Sequence, residues 1–122
     1  MRNAPEVPPR FRVDVQPERA LVRVCPVGEV DVATAGDVTA EIQRLCAAGF
    51  ERIVLDLRGT TFLDSTGLRL VLDAHAESSR DGWDFGVIPG PAQVQRTFEA
   101  AGVLARVSFL DDGRLSAPWN GR

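Results

Sequence analysis

Apolar residues recur at a helical interval in three stretches of this chain, and short runs rich in β-branched residues separate them. Val38, Ile42 and Leu45 stand at i, i+4 and i+7. Leu68, Val71, Leu72 and His75 form a second stripe, and Val94, Phe98 and Ala101 a third. Between them lie Ile53-Val54-Leu55-Asp56-Leu57 and Trp83 to Ile88, each too short for a helix and apolar enough to be a buried strand. A strand, one helix and a second strand are joined by a right-handed crossover, which leaves the strands parallel. The pattern predicts an α/β domain built on a mostly parallel sheet.

The first residues add an antiparallel element. Phe11-Arg12-Val13-Asp14-Val15 alternates apolar and polar as a half-buried strand does, and Ala20 to Val27 is more continuously apolar. The short connection from Gln16 to Arg19 makes them a hairpin, with the first strand at a sheet edge. Arg106 to Leu110 reads as a last strand. The predicted order is β-β-α-β-α-β-α-β. One core suits the 122 residues. Residues 1–10, with Pro5, Pro8 and Pro9, read as a flexible lead-in, 11–110 as the domain, and 111–122 as a loosely ordered tail.

Local signals mark the helix ends. Thr34 with Asp37 makes a weak capping box at the first helix. Gly49 suits a left-handed cap after it, with Phe50 placed to fold back. Asp64 or Ser65 caps the second helix, which runs to about Arg80 before Gly82. Pro91 fits the first turn of the third, which Gly102 ends.

Charge and composition exclude several functions. The net charge is -3, and all 14 basic residues are arginines scattered along the chain, where a nucleic-acid binder would carry a basic stripe. No run approaches the ~20 apolar residues that cross a bilayer. The first residues lack the apolar centre of a signal peptide, so a cytoplasmic protein is expected. Cys25 and Cys46 form no CxxC pair and read as two small buried thiols, with neither a disulfide nor a metal.

Catalytic constellations are not evident. Ser65 stands at a strand-to-helix turn, as hydrolase serines do, but its flanks Leu63-Asp64-Ser65-Thr66-Gly67 are not Gly-x-Ser-x-Gly. The only histidine, His75, is ten residues on, about 15 Å along a helix, too far to act as its base. His75 falls on the inward stripe and reads as a partly buried structural residue. Gly28, Gly36, Gly59, Gly67 and Gly86 form no phosphate-binding fingerprint. Glu29 and Asp31, beside a turn, have no third ligand. No enzyme activity, cofactor or metal is expected. Ser65 alone reads as a helix cap. With Leu68 inward, however, Thr66, Leu70, Asp73 and Glu77 turn outward, and an exposed Leu70 beside Ser65 and Thr66 hints at a protein-contact surface.

Three stretches together resemble the STAS domain family, specifically the stand-alone anti-sigma factor antagonists of bacteria. Gly28-Glu29-Val30-Asp31-Val32-Ala33-Thr34-Ala35 is similar to the family's loop and first-helix start. Leu55-Asp56-Leu57 through Phe62-Leu63-Asp64-Ser65-Thr66-Gly67-Leu68 is similar to its strand and phosphorylation segment. Phe98 through Ala101-Gly102-Val103-Leu104 resembles its third helix. They lie in order at the expected spacing.

The resemblance implies a mixed sheet flanked by helices on one face, and a function that the pattern alone could not reach. The implied partners are an anti-sigma factor that is also a serine kinase, and a phosphoserine phosphatase that resets the switch. Ser65 is the implied phosphorylation site, with Thr66 as a minor acceptor. The implied partner-binding residues are Asp31, Thr34, Asp64, Ser65, Thr66, Gly67, Leu70 and Asp73. A phosphate there would meet free N–H groups at the helix start, so the switch should spoil an interface with little refolding. The chain is expected to be a monomer or weak homodimer, without nucleic acid or membrane insertion. The rival within the family is the small subunit of a phospholipid-transport ABC complex, whose same helix face would contact an ATPase.

Overall fold

The computed structural model describes residues 11–110; the lead-in and tail expected at 1–10 and 111–122 lie outside the described residues. The elements are β1 (Phe11–Pro17), β2 (Val22–Val30), α1 (Ala35–Ala47), β3 (Arg52–Asp56), β4 (Thr60–Leu63), α2 (Ser65–Asp81), β5 (Asp84–Ile88) and α3 (Ala92–Ala100). A 3₁₀ turn at Leu104–Arg106 follows.

The sheet runs β1-β2-β3-β5, with β4 also paired to β2. Among the described strands only the β1–β2 hairpin is antiparallel, so the expected mixed, mostly parallel sheet is present. β2 has two successive partners along one edge. Val22 to Val24 pair with Ile53 to Leu55, and Gly28 to Val30 pair with Thr60 to Leu63. Pro26, which has no N–H to offer a ladder, sits in the gap between them. The Thr60 hydroxyl donates to its carbonyl at 3.1 Å.

Alternation along the strands divides the core. Val22, Val24, Ile53, Leu55, Phe85 and Val87 pack against Val38, Ile42 and Leu45 of α1, Val71 of α2, and Val94 and Phe98 of α3. The helices therefore share one face of the sheet. On the other face Leu21, Val54, Ile88 and Leu110 form a smaller cluster. Leu110 lies over Gly86, where any Cβ would stand 2.3 Å from its Cδ1.

The order differs from expectation at two places. β4 was not legible: its burial comes from the Thr60 bond to Pro26 and from Leu63, while Thr61 and Phe62 are exposed, so no alternation marks it. The expected strand at Arg106–Leu110 is a single parallel bridge, Val87 to Phe109. The 3₁₀ turn uses up the start of that segment, and only the Val87 amide and carbonyl bond to it, through Ser108 and Leu110.

At the end of α1, Gly49 has φ +97° and the Phe50 amide reaches back to the Leu45 carbonyl at 3.1 Å, as expected. In α3, Val94 and Phe98 are buried but Ala101 is exposed at the helix end; Val103 and Val107 complete that part of the core.

Candidate functional site

Asp64, and not Ser65, caps α2. Its carboxylate Oδ1 accepts the amides of Thr66 at 2.9 Å and Gly67 at 3.1 Å. Ser65 begins the helix, its side chain exposed, and its hydroxyl has no hydrogen-bond partner among the described residues. Of the first-turn N–H groups expected to be open for a phosphate, those of Thr66 and Gly67 are therefore already held by Asp64.

Two constraints seat this turn. The Asp64 amide donates to the Val30 carbonyl at 3.2 Å. Gly67 is buried so tightly that a Cβ would stand 2.8 Å from Leu63 Cγ and 3.0 Å from Val30 Cγ1. Glycine is needed here for close approach of the helix to β2 and β4, rather than for an unusual φ. Thr61 is an extra residue in β4 opposite the Gly28–Glu29 step. Its carbonyl accepts from the Gln93 side-chain Nε2 at 2.7 Å, while the Leu63 carbonyl accepts from the Thr97 hydroxyl at 3.1 Å. α3 thus fixes β4 from outside.

Behind β4, Asp56 anchors the turn that leads into it. This 5% exposed carboxylate accepts from the Arg58 amide and Nε, each at 3.0 Å, and pairs with Arg58 Nη2 at 2.7 Å and Arg23 Nη1 at 3.4 Å. Arg23 is bonded in turn to Glu18.

The loop before α1 is locked by its own side chains. Asp31 Oδ1 accepts the Ala33 amide at 2.9 Å, and Thr34 Oγ1 accepts the Asp31 amide at 2.9 Å while donating to the Glu29 carbonyl at 2.7 Å. The expected capping box with Asp37 is not formed. Thr34 is turned back into the loop, because the Asp31 and Glu29 backbone groups lie within reach and the loop needs them satisfied.

Between α1 and α2 runs a groove of about 250 Å³, lined by Ala35, Gly36, Thr39, Ile42, Thr66, Arg69, Leu70, Asp73, Ala74 and Glu77. Leu70 forms its floor and is only 8% exposed, which corrects the expectation of an outward leucine. α2 is covered on two flanks, by the sheet and by α1, so its buried line is Gly67, Leu70, Val71, Ala74 and Ser78, while Leu68, Leu72 and His75 are half-buried. Asp64, Ser65, Thr66 and Gly67 are gathered at the α2 start, with Asp31 and Thr34 in the neighbouring loop. Asp73 stands apart, two turns further along the groove.

Two residues escaped the sequence reading. Val32 is 81% exposed and Phe62 43%, one beside Asp31 and the other two before Asp64. Their signal was available: both are apolar residues outside every helical or strand stripe. Val32 follows the loop residue Asp31, and Phe62 precedes the turn that carries exposed Ser65.

The STAS domain family model matches residues 12–113. The chain belongs to the STAS domain family. Among solved structures it is similar to an anti-sigma factor antagonist from Mycobacterium paratuberculosis, with 26% identity and a TM-score of 0.77, over 91% of this chain and 96% of that one. It is also similar to the anti-sigma factor antagonist SpoIIAA in its unphosphorylated form, with 20% identity and a TM-score of 0.67 over 85% and 90% of the two chains. The phosphorylated form of SpoIIAA, a Bacillus cell fate determinant, gives 19% identity and a TM-score of 0.62 over 85% and 94%. No described helix of this chain is long and apolar enough to cross a membrane.

Proposed function

We propose that this STAS protein is an anti-sigma factor antagonist that binds an anti-sigma factor with serine-kinase activity and is released by phosphorylation of Ser65. The observation that carries the reading is the division of labour at the α2 start. Asp64 does the capping, so the Ser65 hydroxyl is exposed and uncommitted, available to a kinase without loss of a structural bond. The similarity to antagonists, one of which is known unphosphorylated and phosphorylated, supports the same reading.

Phosphate at Ser65 adds about -1.5 to -2 charges at neutral pH. With the Thr66 and Gly67 amides held by the Asp64 carboxylate, the new dianion projects toward the partner instead of folding into the helix turn. The α2 start tolerates it, because negative charge is favourable at a helix N-terminus. A partner that packed against Val32, Phe62 and Ser65 would have to bury that charge beside Asp64, which is costly without a matched cation. In this reading the chain performs no chemistry; it is a ligand and substrate of other proteins, with a phosphatase to reset it.

The test is incubation with ATP and several serine kinases of the anti-sigma type, with the modified residue read by mass spectrometry. Phosphate on Ser65 is expected; phosphate elsewhere, or none, rejects the reading. Wild type and Ser65→Ala should bind the kinase alike and Ser65→Asp at least about tenfold more weakly, a loss of about 1.4 kcal/mol. Equal binding by all three would reject a charge switch. Recovery of a transporter ATPase as the bound partner would favour the transport-complex role instead.

A further inference from the structure

The outer edge of β1 is complementary to itself. In β2 the backbone groups of even-numbered residues face β3 and β4: the Pro26 carbonyl accepts from Thr60, and the Gly28 amide bonds the Gly59 carbonyl at 3.0 Å. The odd-numbered Arg23, Cys25 and Val27 therefore bond β1, where they stand opposite Gln16, Asp14 and Arg12. That leaves the amides and carbonyls of Phe11, Val13 and Val15 pointing away from the sheet, with no strand beyond β1 among the described residues. Pro17 has the same parity but no N–H, which ends the pairing edge there.

The side chains match the backbone. Phe11, Val13 and Val15 lie on the helix face, packed on the core yet half-exposed. Arg12 and Asp14 lie on the other face, and among the described residues Arg12 holds Asp14 through Nε alone, at 3.1 and 3.2 Å. Read outward from Val13 in both directions, the strand offers Arg12 against Asp14 and Phe11 against Val15. β1 has no bulge, since its seven-residue register with β2 is unbroken, and its charged residues Arg12 and Asp14 are of opposite sign, so they need not repel a second copy.

We infer that two copies of this chain associate through β1, antiparallel and edge to edge, with Val13 on the two-fold axis. The two sheets become continuous, and their helices stay on the same face. Val13 meets its symmetry mate and Phe11 meets Val15 in hydrogen-bonded pairs. Arg12 meets Asp14 twice in the closer, non-hydrogen-bonded pairs, whose Cα atoms approach to about 4.5 Å. The interface is isologous and closes at two copies. It does not involve Ser65, and its failure would leave the proposed switch untouched.

Sedimentation equilibrium of the full chain tests it by charge exchange. Wild type should dimerise reversibly at high micromolar concentration. Arg12→Glu sets Glu against Asp14, and Asp14→Arg sets Arg against Arg12, so each variant alone should associate about tenfold or more weakly than wild type. An equimolar mixture of the two restores both opposite-charge contacts, and heterodimer should return to wild-type strength. That recovery requires both variants to be folded, so misfolding cannot imitate it. A monomeric wild type, variants that dimerise undiminished, or a mixture that stays monomeric would each overturn the inference.

Discussion

The amide of Asp64 donates to the carbonyl of Val30 at 3.2 Å, so the residue that caps α2 hangs from the strand that leads into α1. This bond ties the turn holding Ser65 to the end of β2, next to the loop holding Asp31 and Thr34. Under the proposed function, a partner approaching that end would meet both helix starts at once.

Asp64 and Ser65 should separate stability from signalling. Asp64→Ala removes the acceptor of two helix amides and should cost about 1 kcal/mol in urea unfolding. Ser65→Ala removes a hydroxyl with no partner and should lie within about 0.5 kcal/mol of wild type. A larger cost for Ser65→Ala would show that the serine carries structure.

Gly67→Ala should be destabilising out of proportion to one methyl group. The new Cβ would press on Leu63 and on both the side chain and carbonyl of Val30, and relief requires α2 to lift from β2 and β4. A loss of about 1–3 kcal/mol is expected by chemical denaturation. Gly36→Ala, where nothing lies within 4 Å, should be neutral or stabilising and serves as the control.

Acid should unfasten the turn behind β4. Burial alone would raise the Asp56 pKa, but hydrogen bonds from the Arg58 side chain and backbone, and the Arg23 guanidinium, outweigh it and hold the carboxyl below its ordinary value. Its stabilising contribution is therefore complete above the unfolded-state value of about 3.9 and is lost as pH falls through the lower folded-state value. Asp56→Asn should destabilise the protein at pH 7 and flatten the fall in melting temperature below about pH 4. An unchanged acid limb in the variant would place the acid lability elsewhere.

Cys25 should be slow toward alkylating reagents at neutral pH. Burial first, and then the negative charge of Asp56, push its thiol up to about 11. Since the thiolate is the nucleophile, modification followed by mass spectrometry should be negligible at pH 7 and rise steeply only as pH approaches that value. Rapid labelling at pH 7 would contradict this placement of the thiol.

What could be read from the sequence depended on how each element earns its burial. α1 buries Val38, Ile42 and Leu45, the stripe that their spacing marks. α2 is wedged between sheet and helix, and much of its buried line is made by the small residues Gly67, Ala74 and Ser78, which carry little apolar signal; its predicted face was rotated as a result, and Leu70 was misplaced. β4 is held by hydroxyl and amide bonds from Thr60 and to Thr61, which no hydropathy pattern records. At the site, Asp64-Ser65-Thr66-Gly67 was visible as a helix start. Which of Asp64 and Ser65 caps the helix was not, because either side chain can do so.

The two-partner arrangement of β2 also orders the assembly of the molecule in time. β1 and β2 meet across a tight turn closed by the Glu18 amide and the Leu21 carbonyl, a contact between near neighbours. The meeting of Gly28 with Thr60 closes a stretch that contains α1 and β3, and distant closures are slower than local ones, so this half of β2 is expected to pair later. The hairpin is thus the early half of β2 and the end that carries Ser65 the late one. A chain still emerging from the ribosome would then hold its edge strand before it holds the turn that carries Ser65.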